Sequence, residues 1–124
     1  ADELGIRATI NVAVPENLNI EIADIVTILG NLLDNAIQAM LKTEEERTLF
    51  LKVIFTKGRL FITARNTFDG EVNYQNGKII SRKEETNHGY GLKNIENALK
   101  KYNGSMRLSH DASLFSVDAM LYVS

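Results

Sequence analysis

From Glu21 to Leu41 the chain is dominated by Ile, Leu, Val and Ala, and the polar side chains in this run recur at helical spacing. At 3.6 residues per turn, Asp24, Thr27, Asn31, Asp34, Asn35 and Gln38 fall on one narrow stripe of a helix that is otherwise apolar. Such a helix is predicted to be buried everywhere except along the stripe. A merely solvated edge would carry Lys, Glu and Arg, which form helices better and cover apolar surface with their stems. Amides and short carboxylates in the segment Gly30-Asn31-Leu32-Leu33-Asp34-Asn35-Ala36-Ile37-Gln38-Ala39 point instead to a ligand. Magnesium with a phosphate chain suits them, because the cation takes oxygen ligands and needs only one or two protein contacts beside the phosphates it bridges.

The remaining composition bounds the rest of the reading. The 124 residues, 44% of them hydrophobic, suffice for one domain with its own core, taken as 1–124. A net charge of −2 provides no global field for a polyanion, so no nucleic-acid partner is expected. With no cysteine there is no disulfide framework, and no apolar run approaches the roughly 18 residues of a membrane span. The domain is expected to be cytoplasmic, with any membrane contact made through a parent protein. An opening Ala-Asp-Glu-Leu without Met suggests excision from a longer chain.

Alternation from Ile6 to Val14 predicts a strand with one buried face, ended by Pro15. Leu49 to Phe55 and Arg59 to Ala64 flank Lys57-Gly58 and read as a hairpin. Phe68 to Asn87 has little periodicity apart from a short strand or turn at Ile79-Ile80 and reads as a long loop, of a length typical of a functional lid. Leu92, Ile95, Ala98 and Leu99 then mark a second helix over Gly91 to Tyr102, with Asn103-Gly104 as its C-cap. Two strands, Ser105 to Leu108 and Leu114 to Val123, follow, joined through His110-Asp111-Ala112-Ser113. The order β-α-β-β-lid-α-β-β predicts a two-layer α/β sandwich, with a mixed, mostly antiparallel sheet and helices on one face.

His88-Gly89-Tyr90-Gly91-Leu92 is the second constellation. Glycines let backbone amides approach a phosphate, and the helix that starts there offers N–H donors and a favourable dipole. A glycine pair before a helix is weak alone, but beside the amide stripe it gains weight.

These two motifs resemble the GHKL superfamily, the ATP-binding domain of sensor histidine kinases, DNA gyrase B subunits, MutL and heat-shock chaperones, over nearly the whole chain. Asn31-Leu32-Leu33-Asp34-Asn35-Ala36 resembles its N box and Gly89-Tyr90-Gly91-Leu92 its second glycine box. The resemblance implies ATP and Mg²⁺ as cofactors. It implies that Asn35 coordinates the metal and that Asn31 supports the phosphates or a metal-bound water; Gln38, on the same helical stripe, is taken as a further binding residue. The amides around Gly89, Gly91 and Leu92, with His88 and Tyr90 beside them, would hold the triphosphate. Of the basic lid residues Lys78, Arg82 and Lys83, Lys83 is the one taken as a phosphate contact.

Gyrase-type members carry a Glu general base where this chain has Asn31, and an amide cannot take a proton from water. The resemblance therefore shifts from hydrolysis to phosphotransfer onto a histidine of a dimerisation domain outside this chain, with a response regulator downstream. The family's DxGxG box is missing. In Arg65-Asn66-Thr67-Phe68-Asp69-Gly70, Asn66 stands where the adenine-binding Asp belongs, with Asp69 as the fallback. This departure resembles the Agr-type branch of histidine kinases. Two other readings stay open: a non-catalytic nucleotide-sensing or scaffolding domain, and an anti-sigma-factor-like serine kinase.

Overall fold

A computed structural model describes residues 5–71, 73–75, 78–80 and 91–123, with backbone alone for 73–75 and 78–80. Its elements are β1 (Ile6–Ala13), α1 (Ile22–Met40), β2 (Arg47–Thr56), β3 (Arg59–Thr67), β4 (Asn73–Gln75), β5 (Lys78–Ile80), α2 (Gly91–Lys100), β6 (Ser105–His110) and β7 (Leu114–Tyr122). Five strands form one mixed sheet in the order β1-β2-β3-β7-β6, in which β1 alone runs parallel to its neighbour. The expected two-layer α/β sandwich is the observed one.

Local chemistry explains the turns. Lys57 and Gly58 both have positive φ, 51° and 78°, which matches the right-handed twist of the two strands they join. α2 ends with Asn103 in the left-handed region at φ 53°, and Gly104 N–H reaches back to the Leu99 carbonyl at 2.9 Å. A Cβ on Gly104 would lie 2.4 Å from the Met120 carbonyl oxygen, so only glycine lets α2 turn so closely into β6.

The core lies between the helices and the sheet. Ile28 and Leu32 of α1 and Leu92, Ile95 and Leu99 of α2 meet Leu51, Leu60, Ile62, Val117 and Leu121 from the strands. A smaller cluster joins Ile6, Ala36, Met40 and Leu49 where β1 starts beside the end of α1. That restriction corrects the expected buried face of β1. Only Ile6 is buried, while Ile10 and Val12 are 62% and 57% exposed, because α1 covers the edge strand at its first residue and no further. Within the long loop lies the antiparallel pair β4-β5: β5 coincides with the short strand or turn expected at Ile79-Ile80, whereas β4, only three residues long, leaves no readable periodicity. No helix among the described residues is long and apolar enough to cross a membrane.

Candidate functional site

The two helices run antiparallel. At one end Asp24 of α1 meets Lys101 and Tyr102 just beyond α2, and at the other Asn31 and Asn35 face Gly91 at its start. A Cβ built on Gly91 would stand 3.2 Å from Asn35 Oδ1, 3.3 Å from Asn35 Nδ2 and 3.4 Å from Asn31 Oδ1. The hydrogen-only side chain thus keeps the two carboxamides and the positive end of the α2 dipole together.

Hydrogen bonding separates the roles of the two amides. Asn31 Nδ2 donates to the Thr27 carbonyl at 2.7 Å, which leaves Oδ1 as the atom turned towards Gly91. Asn35 is different: both of its amide heteroatoms are shielded from solvent and neither has a hydrogen-bond partner among the described residues. A fold ordinarily pairs such atoms, because each unsatisfied group costs about 1–3 kcal/mol. The oxygen suits a hard cation and the NH₂ an anionic oxygen, so this residue fits a metal–phosphate ligand on its own chemistry. Gln38 is half-buried on the same edge of α1.

The stripe is not one site along its whole length. Asp24, 5% exposed, accepts a hydrogen bond from the Tyr102 hydroxyl at 2.5 Å and an ion pair from Lys101 Nζ at 3.1 Å. The Tyr102 hydrogen bond, then Lys101, holds its carboxyl below the ordinary range, and the same contact with Asp24 raises Lys101. Tyr102 also accepts the Glu21 N–H at 3.0 Å, so it serves the first turn of α1, which lacks a side-chain cap. These partners lie 77 and 78 residues away in sequence, which is why helical spacing, placing Asp24 on the exposed stripe, does not show that it is buried. Nor is α1 buried all round the rest of its circumference. Ile22 and Val26 are 82% and 62% exposed, because the helix is an outer layer with one face on the sheet.

Asn66 is buried on the helix-facing side of β3, its Nδ2 donating to the Thr67 carbonyl at 3.0 Å, so that Oδ1 remains an acceptor. Asp69, by contrast, is exposed and accepts the Glu71 N–H at 3.0 Å in a local turn. The Leu92 side chain belongs to the core, so any ligand contact there is through its backbone. Lys83, His88, Gly89 and Tyr90 lie outside the described residues, as does Arg82; of Lys78 only the backbone, in β5, is described. His110 ends β6 rather than standing in the turn, exposed and stacked on Phe115 with ring centroids 6.4 Å apart.

The sequence pattern of the GHKL domain family matches residues 20–122. No protein of curated function matches. Among solved structures, the nucleotide-free catalytic domain of the histidine kinase ThkA aligns with a TM-score of 0.69 and 13% identity, over 98% of this chain and 80% of that one. The histidine kinase AdeS of Acinetobacter baumannii gives 0.70 and 13%, over 99% of this chain and 57% of its own. Full-length ShkA in complex with AMPPNP gives 0.71 and 17%, covering 100% of this chain and 27% of that protein. The chain therefore spans little more than half of AdeS and about a quarter of ShkA. At these identities the likeness establishes the fold.

Proposed function

Because the chain belongs to the GHKL domain family, we propose that it binds Mg-ATP and acts as the catalytic domain of a sensor histidine kinase, delivering the γ-phosphoryl group to a histidine on a dimerisation domain outside this chain. The observation that carries the reading is the enclosed Asn35 amide, without a hydrogen-bond partner among the described residues, set against Gly91. Bound Mg-ATP supplies the electrophilic γ-phosphorus and the cation that offsets charge on its oxygens.

The chain's own residues do the holding. Asn35 would hold the metal, Asn31 Oδ1 would support the metal-bound water or the phosphates, and Gln38 would continue that edge. The amides of Gly89, Gly91 and Leu92, with His88, Tyr90 and Lys83, hold the triphosphate. Asn66 Oδ1 accepts the exocyclic amine of adenine. Asn31 is no general base, so water is not activated and the domain alone turns over slowly. With a histidine ring as nucleophile, an N–P bond forms as the bridging β–γ P–O bond breaks, and ADP leaves. The phosphoryl group then passes to a response regulator, on the cytoplasmic face of a membrane-bound parent.

Asn66 in place of a carboxylate favours one second reading, a domain that senses nucleotide without transferring phosphate, since an amide accepts more weakly than a charged group. Calorimetric titration with Mg-AMPPNP tests the first step: the unaltered chain binds, and Asn35→Ala or Gly91→Ala weakens binding about tenfold or more. No binding by the unaltered chain refutes both nucleotide readings. Binding by the full-length parent without transfer of labelled γ-phosphate to its histidine domain selects the sensing reading.

A further inference from the structure

Both helices pack on one face of the five-stranded sheet, so the opposite face has no covering element among the described residues. Strand alternation brings Ile54, Phe61 and Met120 side by side there as an apolar band across β2, β3 and β7. Around it stand Lys52, Arg59, Arg65 and Arg107, none of them in an ion pair with a described residue. Asp118 is the carboxylate among them, and it accepts the Thr63 hydroxyl at 2.9 Å. Apart from Arg7 of β1, which is paired with Glu46 at 3.0 Å, four cations stand against one carboxylate on this face, a local excess in a chain whose net charge is −2.

Two of these cations are held in place. The Arg59 guanidinium lies 5.4 Å from the centre of the Phe61 ring, and that of Arg65 lies 5.8 Å from Phe50. Resting on an aromatic face, a guanidinium keeps its forked donors outward and loses less side-chain entropy when a carboxylate arrives. From the cation on β2 to that on β6 there are three strand spacings, about 15 Å, the length of roughly ten helical residues.

We propose that this open sheet face is a docking surface for an acidic, amphipathic segment of a partner protein. Its carboxylates would pair with Arg59, Arg65, Lys52 and Arg107, and its apolar side chains would cover Ile54, Phe61 and Met120. A nucleic acid fits less well: the Phe rings that would stack with bases are already covered by guanidinium groups, and Asp118 sits in the middle of the face where a phosphate backbone would pass. This surface faces away from Asn35 and Gly91, so the inference does not depend on nucleotide binding.

The test uses the intact chain and a labelled synthetic helical peptide of about fourteen residues, with leucine at every third or fourth position and glutamate elsewhere. Fluorescence anisotropy is expected to show saturable binding that weakens with added salt, and Arg65→Glu and Arg107→Glu are each expected to weaken it about tenfold. Lys42→Glu, which changes net charge equally but lies beyond the end of α1, should leave it within about twofold. Circular dichroism checks that each variant is folded, and having two variants protects the test if one is not. The proposal is overturned by no binding up to on the order of 1 mM peptide. Equal binding of a lysine-for-glutamate peptide, equal loss with Lys42→Glu, or tighter binding of an oligo-dT strand would overturn it too.

Discussion

An amide enclosed without partners among the described residues, as at Asn35, costs the fold about 1–3 kcal/mol, and a side chain of similar size with no polar atoms avoids that cost. Asn35→Leu is therefore expected to raise the unfolding free energy by about 1–3 kcal/mol while abolishing Mg-AMPPNP binding, read by urea denaturation and calorimetry on the same preparation. A less stable Asn35→Leu would mean that the amide is a structural member of the core and not a ligand group. At this scale the sequence was informative where chemistry repeats locally. Asn31, Asn35 and Gly91 stand out as poor helix formers and a glycine at helical positions, and the structure brings the three together. Asp24 carried the same signal and meant something else, because a carboxylate's partner is fixed by tertiary packing, which spacing along one helix cannot express.

The Asp24–Tyr102–Lys101 contact joins the start of α1 to the end of α2, at the opposite end of the helix pair from Gly91. Its pH behaviour follows from the direction of each shift. Asp24 is lowered from 3.8, so its contribution is complete above that value and is lost as pH falls through the still lower folded-state value. Tyr102 and Lys101 are raised from 10.0 and 10.5, so theirs is complete below those values and fades as pH rises through the folded-state ones. Thermal unfolding should thus show Asp24→Asn less stable than the parent by a constant margin from pH 5 to 9, narrowing below pH 3.8. A margin that persists unchanged in acid would show that the carboxylate charge plays no part. Elements themselves were legible where periodicity was long: α1, α2 and the β2-β3 hairpin lie within a few residues of their expected limits. The outer strand β1 was found but its burial was misjudged, since alternation tells which residues share a face and not what lies over it.

Taken whole, the molecule has one principal core shared by both helices and four of the strands, so a ligand held between α1 and α2 is coupled to the unfolding of everything. Mg-AMPPNP at about a hundred times its dissociation constant is expected to add about 2.7 kcal/mol, a rise of roughly 10 °C in Tm for a domain of this size. Asn35→Leu should show no such rise. A flat melting temperature in the unaltered chain, with calorimetric binding present, would mean that nucleotide is held equally well by unfolded material. The order β1-β2-β3-β7-β6 also has a bearing on synthesis. β7 fills the gap between β3 and β6, and Val123 then ties Asn19 and the Gly58 turn together through its backbone. Until that stretch leaves the ribosome, dozens of residues after β3, the growing chain exposes a long unpaired strand to its surroundings. A stalled product lacking it is a hazard for aggregation that no supply of ligand would relieve.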